Sequence, residues 1–192
     1  TRLGPDRHLS LSSLTNPDAE VLQQPHIPWY SVEDAPPDSD MFVVNTERSI
    51  TQSGLAESST RLLSRFTTII SARGTVGRCA LTGVEMAMNQ SCYGVNGADN
   101  RGDFYTYFVV RAAVANLQQL THGAVFDTIT RATFGAIDIV IPPVDVTGRY
   151  DAVVRPYLLR TLSNLYESRT LAAIRDALLP KLMSGEVRVG AR

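Results

Sequence analysis

The chain has 192 residues, of which 44% are hydrophobic and 19% are charged, as is typical of a globular protein with a buried core. No apolar run approaches the ~18 residues that a bilayer-spanning helix needs, so we expect no membrane contact and a cytoplasmic location. The formal net charge of -1 argues weakly against nucleic-acid binding, although the charge is unevenly distributed.

The positive charge lies in the later parts of the chain and consists almost entirely of arginine. Residues 1–45 carry a balance of -5, whereas residues 46–136 and 137–192 each carry +2. Residues 61–78 contain four arginines and no acid. Arginine offers a planar fork for phosphates and guanine edges, but a codon bias toward arginine explains the excess equally well.

Cys79 and Cys92 are the only cysteines in the sequence. Two free thiols are the favoured interpretation, with a disulfide as the alternative. Two cysteines and three scattered histidines do not make a zinc site, so no metal and no cofactor of the chain's own are predicted.

The first 145 residues predict short strands and one amphipathic helix. Alternating or β-branched segments indicate strands near residues 29–32, in "MFVVNT", near 67–72 and 77–82, in "EMAMNQSCYGV" and in "TFGAIDIVIPP". The segment "SGLAESS" indicates a turn or a short helix, and apolar residues at helical spacing predict a helix over residues 103–120.

Residues 146–184 predict one long helix with two sets of apolar side chains. Thr147 or Asp145 is expected to cap its start, and Gly185 to stop it. The first apolar stripe is Leu158, Leu162 and Leu165; the second apolar stripe is Leu171, Ile174, Leu178 and Leu182. A helix of roughly 37 residues is about 55 Å long. Because that exceeds the width of a small domain, we expect it to pair with another helix rather than to serve only its own core.

The segment "SARGTVG" predicts a tight corner between two strands. Its glycines allow backbone amides to approach a ligand closely, and Arg73, Gly74 and Thr75 form its tip. Arg73 there is able to reach a phosphate or a base edge. A plain β-turn with a solvated arginine is the alternative and, from the residues alone, the better supported interpretation.

Two further segments carry polar side chains, and the paired amides of the first suit the recognition of a base. Asn89 and Gln90 lie side by side in a predicted strand region, and paired amides recognise adenine. The alternative is one amide held by the backbone and one exposed. Thr121, His122 and Gly123 open a loop in which the lone histidine is more often structural than a ligand. No catalytic constellation is evident, so an enzyme is the least favoured class.

Seven segments together resemble one half of the specificity subunit of type I restriction–modification enzymes. They occur in the family's order and cover about residues 25–189. No single segment is decisive, but the combination is specific. The segments are "IPWYSVEDA", "VNTERSITQSGLAESSTRLLS", "TIISARGTVGRCAL", "AMNQSCYGV", "THGAVFDTIT", "IVIPPV" and "ESRTLAAIRDALLPKLMSGEV".

The resemblance implies an α/β fold with two parts. Residues 1–145 would be a mixed-sheet target recognition domain, and residues 146–192 a long spacer helix, pairing in an antiparallel coiled coil, with a tail. The chain would be the C-terminal half of such a subunit or a short half-subunit that dimerises. The segments of Arg73, Asn89 and His122 would lie near DNA. The family's frequent Glu-Gln pair at the helix start is absent from "PPVDVTGRYDAV".

The resemblance also implies partners. These are double-stranded DNA, methyltransferase subunits that bind S-adenosylmethionine, a motor-nuclease subunit, and a second copy or other half of the specificity subunit. The chain itself would be non-catalytic. Two alternatives stay open: a helical assembly module that does not read DNA, and the specificity subunit of a related fused restriction–methylation enzyme.

Overall fold

The computed structural model describes residues 26–37, 39–120, 128–135 and 138–188. Within these ranges the chain forms seven strands, four α-helices and two single-turn 3-10 helices. The strands are β1 (Ile27–Tyr30), β2 (Phe42–Val43), β3 (Arg48–Ile50), β4 (Thr68–Ser71), β5 (Cys79–Thr82), β6 (Ala87–Met88) and β7 (Cys92–Val95). The α-helices are α1 (Gln52–Glu57), α2 (Asp103–Leu120), α3 (Arg131–Gly135) and α4 (Val144–Met183).

The strands form two mixed sheets, which confirms the predicted mixed-sheet α/β fold. In the small sheet, β1 lies between β3, to which it is antiparallel, and β6, to which it is parallel. The larger sheet has the order β2-β5-β4-β7, with β2 parallel to β5 and the other pairs antiparallel. The strands predicted near residues 67–72 and 77–82 are confirmed as β4 and β5.

The larger sheet is the middle layer of the domain, so every residue of β4 is buried. On one face, Ile69 packs with Tyr30 and Met86 from the small-sheet side. On the other face, Ile70 packs with Val114 of α2. A strand covered on both sides needs apolar or hydrogen-bonded side chains at every position, which explains the continuous run "TIIS".

Helix α2 occupies the range that the apolar spacing predicted. Phe104, Tyr107 and Val114 are buried against the larger sheet. The opposite side of the helix carries exposed residues such as Asn116. The helix therefore forms the outer layer over β4 and β5.

The predicted strand in "TFGAIDIVIPP" is wrong. Thr133 and Phe134 belong to helix α3, and the described residues 138–141 form no strand. Val140 is 88% exposed, and its carbonyl accepts a hydrogen bond from the Tyr105 hydroxyl at 3.4 Å. Alternation makes a strand only where a sheet edge is available for pairing, and this segment runs beside α2 instead.

Helix α4 has 40 residues, which corresponds to about 60 Å. It begins at Val144 after Pro143, with no side-chain cap, so the predicted cap by Thr147 or Asp145 is wrong. Pro143 has its φ fixed by its ring and precedes the helix directly, leaving those two residues inside the first turn. The stop at Gly185 (φ 73°) is confirmed. In the described ranges, neither α4 nor any other helix combines the length and apolar character needed to cross a bilayer.

Candidate nucleic-acid interface

Segments that are distant in sequence lie next to one another at one end of the larger sheet. Strand β4 ends there, and β5 and β7 begin there, so the loop of residues 72–78 and the turn of residues 89–91 lie side by side. The Ala72 amide donates to the Ser91 carbonyl at 2.8 Å, and the Ile129 amide donates to the Ala72 carbonyl at 2.9 Å. Residues 72–78, 89–91 and 128–130 are called the loop end below.

The buried Ser71 holds the 72–78 loop in shape. Its Oγ accepts from the Arg78 amide at 2.9 Å and donates to the Thr75 carbonyl. Its carbonyl accepts from the Gly77 amide at 2.9 Å. Gly74 and Gly77 have φ values of 77° and 84°, where residues with a Cβ are strained. The corner predicted between two strands is confirmed, and sequence reasoning missed Ser71 as its support.

The loop exposes its tip to solvent. Arg73, Gly74 and Thr75 are all exposed. An exposed guanidinium beside two glycines in a rigid loop is a suitable donor for phosphate or for a base edge. The role of the three residues in binding DNA stays a prediction.

Asn89 and Gln90 lie in a turn and not inside a strand, which corrects the sequence interpretation. The Asn89 Oδ1 accepts from the Ser91 amide at 3.0 Å, and the Asn89 amide donates to the Tyr30 carbonyl at 2.9 Å. Asn89 is half-buried and Gln90 is exposed. The alternative of one amide held by the backbone and one exposed is therefore what the structure shows, and Gln90 is the better placed of the two for reading a base.

Thr121, His122 and Gly123 lie outside the described residues. The described chain resumes at Thr128, and Ile129 is buried and hydrogen-bonded to Ala72.

A cleft of about 370 Å³ opens between the loop end and helix α2. It contains two arginines that sequence reasoning did not single out, Arg78 from the loop and Arg111 from α2. The Arg78 Nη1 donates to the Pro36 carbonyl at 3.2 Å, which holds that side chain across the cleft. The remaining lining residues are Pro36, Pro37, Asp40, Thr75, Val76, Gly77, Cys79, Tyr107, Val114 and Ala115.

The four arginines within residues 61–78 do not form one basic patch. Arg78 is bonded to Pro36, and the Arg65 guanidinium lies 4.5 Å from the centroid of the Phe66 ring. Arg73 and Arg61 are exposed. Arg61 lines a second groove, of about 380 Å³, together with Asn89 and Gln90. Arg65 thus makes a cation–π contact, which a count of charges in the sequence does not predict.

The two cysteines are free thiols, as predicted. Burial raises the pKa of Cys79 to about 11, although Arg111 across the cleft opposes part of that rise. Burial raises the pKa of Cys92 to about 12, and the Asp34 carboxylate adds to the effect. Both thiols are therefore protonated and poorly nucleophilic near neutral pH. Among the described residues no group of three His, Cys, Asp or Glu side chains is arranged to hold a metal ion.

The seven leucine and isoleucine positions assigned to helix pairing divide into two kinds. Leu162 is 1% exposed and packs with Phe42, Leu81 and Phe104, and Leu158 and Leu165 pack against the same cluster. The first apolar stripe is thus part of the domain's own core, which corrects its assignment to pairing with another helix. The second apolar stripe, Leu171, Ile174, Leu178 and Leu182, is exposed.

Residues 13–148 match the family described as the type I restriction modification DNA specificity domain. The match covers most of the chain, which therefore belongs to this family. The chain is 24% identical over 164 residues to the specificity subunit of the type I restriction enzyme HindI from Haemophilus influenzae, covering 84% of this chain and 35% of that protein. It is 28% identical over 90 residues to the MjaIX specificity subunit from Methanocaldococcus jannaschii, covering 47% of this chain and 21% of that protein.

A solved structure supports the same fold. Its subject is complex assembly and conformational transition of the type I R-M system, and one of its chains aligns with 81% of this chain and with 37% of its own length. The TM-score is 0.50 at 17% sequence identity. The present chain spans about a third, or less, of the length of the curated relatives that it matches.

Proposed function

We propose that the chain is a DNA sequence-recognition subunit, or half-subunit, of a type I restriction–modification complex, and that it reads one half of a bipartite target. The observation that carries this proposal is the loop end, where exposed Arg73 and Gln90 lie beside a cleft containing Arg78 and Arg111. Membership of the DNA specificity family supports the same conclusion.

The polar side chains at the loop end and in the cleft suit different atoms of DNA. Arg73 and Gln90 are exposed at loop tips, where a guanidinium suits guanine or phosphate and an amide suits adenine. Arg78 and Arg111 lie in the cleft wall and suit phosphate oxygens, which fix position rather than sequence. The chain supplies no chemistry of its own in this proposal.

The proposed partners follow from the family and from helix α4. Methyltransferase subunits, which would bind S-adenosylmethionine, and a motor-nuclease subunit would join the chain and modify or cut the DNA. The exposed second apolar stripe would pair with the helix of a second copy or of another half-subunit. The same stripe favours the second candidate function, a helical assembly module in which the domain does not read DNA.

The decisive experiment is coexpression with the system's methyltransferase subunit in a methylation-free host, followed by genome-wide mapping of modified adenines. The unchanged chain should produce a bipartite motif. Arg73→Ala and Gln90→Ala should alter that motif or reduce methylation while the complex still assembles. Arg169→Ala, an exposed arginine on α4 far from the loop end, is the matched control. If both loop variants keep the original motif and methylation level, the assembly module is the better account.

A further inference from the structure

The groove that contains Arg61 combines half-buried apolar side chains with exposed polar ones. Its volume is about 380 Å³, and none of the described residues that line it is acidic. Trp29, Leu63 and Met88 are half-buried there, and Arg61 is exposed. An exposed guanidinium with hydroxyl and amide donors suits a phosphate, and the apolar side chains suit a deoxyribose. The other polar residues along this groove, called the Arg61 groove below, are Ser58, Ser59, Thr60, Asn89 and Gln90.

Hydrogen bonds between its two walls hold the Arg61 groove in shape. The Thr60 Oγ1 donates to the Met88 carbonyl at 2.8 Å. The Leu63 amide donates to the Met86 carbonyl at 2.8 Å, and the Met86 amide donates to the Leu63 carbonyl at 3.2 Å. The segment that carries Arg61 is thus attached to the small sheet on both sides of that residue. Because the groove is already formed, a ligand that enters it orders little of the backbone.

The Arg61 groove and the cleft lie on opposite faces of the larger sheet. The cleft is lined by Arg111 and other residues of α2, the helix that covers one face. The Arg61 groove is lined by Trp29 of the small sheet, which covers the other face, and by Cys92 of β7, which packs toward the small sheet. Residues 75–78 of the loop end line the cleft, and residues 89–90 line the Arg61 groove. The loop end is therefore a ridge between two concave surfaces.

The thickness of this ridge suits the major groove of DNA. Stacked sheets lie ~10 Å apart, so a single sheet layer is about that thick. The major groove of B-form DNA is ~12 Å wide and the minor groove ~6 Å wide. One layer therefore fits the major groove and is too thick for the minor groove. When such a ridge enters the major groove, the two sugar–phosphate strands that border the groove lie on its two sides.

We propose that the Arg61 groove binds one sugar–phosphate strand of the DNA while the cleft binds the other strand. The proposal rests on the DNA binding of the proposed function and adds a second strand contact to it. Each concave surface contains arginine, Arg61 on one side of the ridge and Arg78 and Arg111 on the other. Contacts with both strands would fix the position of the ridge, so that Arg73 and Gln90 face base edges in the major groove.

Fluorescence anisotropy of the full chain over a salt series tests the two contacts. On a natural DNA duplex, Arg61→Ala and Arg111→Ala should each make the slope of log K against log salt concentration shallower by about one. Arg169→Ala, on the exposed part of α4, is the matched control and should leave the slope unchanged. Circular dichroism confirms that each variant is folded.

A duplex in which methylphosphonate linkages make one strand uncharged tests whether the two arginines contact different strands. Substituting Arg61 and Arg111 together should lower the slope by about two on the natural duplex. On the half-charged duplex the same double substitution should lower the slope by only about one, because one of the two surfaces then holds an uncharged strand. A reduction by about two on both duplexes would mean that both arginines contact the same strand and would overturn the proposal. An unchanged slope for Arg61→Ala on the natural duplex would overturn it as well.

The outcomes separate this proposal from the one on which it rests. In the coexpression assay, Arg61→Ala should reduce adenine methylation without altering the motif, because phosphate contacts carry no sequence information. If the slopes change as expected but Arg73→Ala and Gln90→Ala keep the original motif and methylation level, sequence reading is overturned and the two strand contacts are not. If the unchanged chain shows no salt-dependent binding to DNA, both proposals are overturned.

Discussion

Asp151 shows how much of this fold depends on one side chain. It is buried on α4, and its two oxygens accept the backbone amides of Phe104 at 3.2 Å and Tyr105 at 2.7 Å. These amides belong to the first turn of α2, where helix geometry leaves them without partners of their own. A residue of α4 thus caps the start of α2 and links the two helices.

Replacing Asp151 by alanine should lower the free energy of unfolding by ~1–3 kcal/mol, because two amides lose a charged acceptor. Urea unfolding measures the change. Asp176→Ala is the control, since the ion pair of Asp176 with Arg175 lies on the exposed part of the same helix. Equal losses in the two variants would mean that Asp151 does not act as a cap.

Gly102 provides the space for this cap, because a Cβ there would lie 2.1 Å from the Asp151 carboxylate. No local sequence pattern predicts this contact between Gly102 and Asp151.

The buried thiols predict a pH dependence. The pKa of Cys79 is about 11 in the fold against an ordinary value of 9.0, so the unfolded chain loses this proton first. The unfolded state is therefore favoured as pH rises above about 9, and the fold should lose stability between there and about pH 11. Urea unfolding from about pH 8 upward checks the direction. Cys79→Ala should make the decline shallower, and an identical decline would exclude this thiol as its source.

At the scale of elements, the two halves of α4 have different surroundings. Its first half packs on the larger sheet and α2 through the first apolar stripe, and its second half extends beyond the domain with exposed leucines. Length alone could not show which part of the helix belongs to the core, because the helix extends well beyond the sheet that its first part covers.

The two halves should therefore respond differently to the same substitution. Leu162→Ala should cost ~2–5 kcal/mol, the range for deleting a buried leucine side chain. Leu171→Ala, at a position that is 59% exposed, should change stability by less than ~0.5 kcal/mol when measured in dilute solution. Thermal unfolding at low protein concentration compares them. A large loss in the Leu171 variant would show that its side chain is covered within one copy.

At the scale of the whole molecule, the nearly neutral net charge limits how tightly the isolated chain is expected to bind DNA. The net charge is -1, and a single recognition domain of this size buries roughly 600–1,000 Å² of protein surface on DNA. We therefore expect weak binding by the isolated chain, with partner subunits supplying many of the phosphate contacts.

Binding by the isolated chain should depend strongly on salt. Each arginine–phosphate contact adds about −0.9 to the slope of log K against log salt concentration, so Arg111→Ala should make the slope shallower by about one. Fluorescence anisotropy over a salt series measures it, and Arg169→Ala should leave the slope unchanged. Tight binding that is insensitive to salt would contradict this picture of the interface.

Local sequence patterns determined much of the fold. The corner between β4 and β5, the range of α2 and the stop of α4 at Gly185 all follow from apolar spacing and glycine, which act over a few residues. The family followed from the order of seven segments. Predicting these features does not require knowing which segments, distant in sequence, contact one another.

Only the tertiary structure decided which groups face one another. It placed Arg78 and Arg111 in one cleft, assigned Leu162 to the core and Leu171 to the surface, and left the described residues 138–141 without a strand partner. The reason is physical: burial and hydrogen-bond partners depend on the packing of segments far apart in the chain. A leucine at helical spacing has the same local pattern whether it meets its own sheet or a second helix.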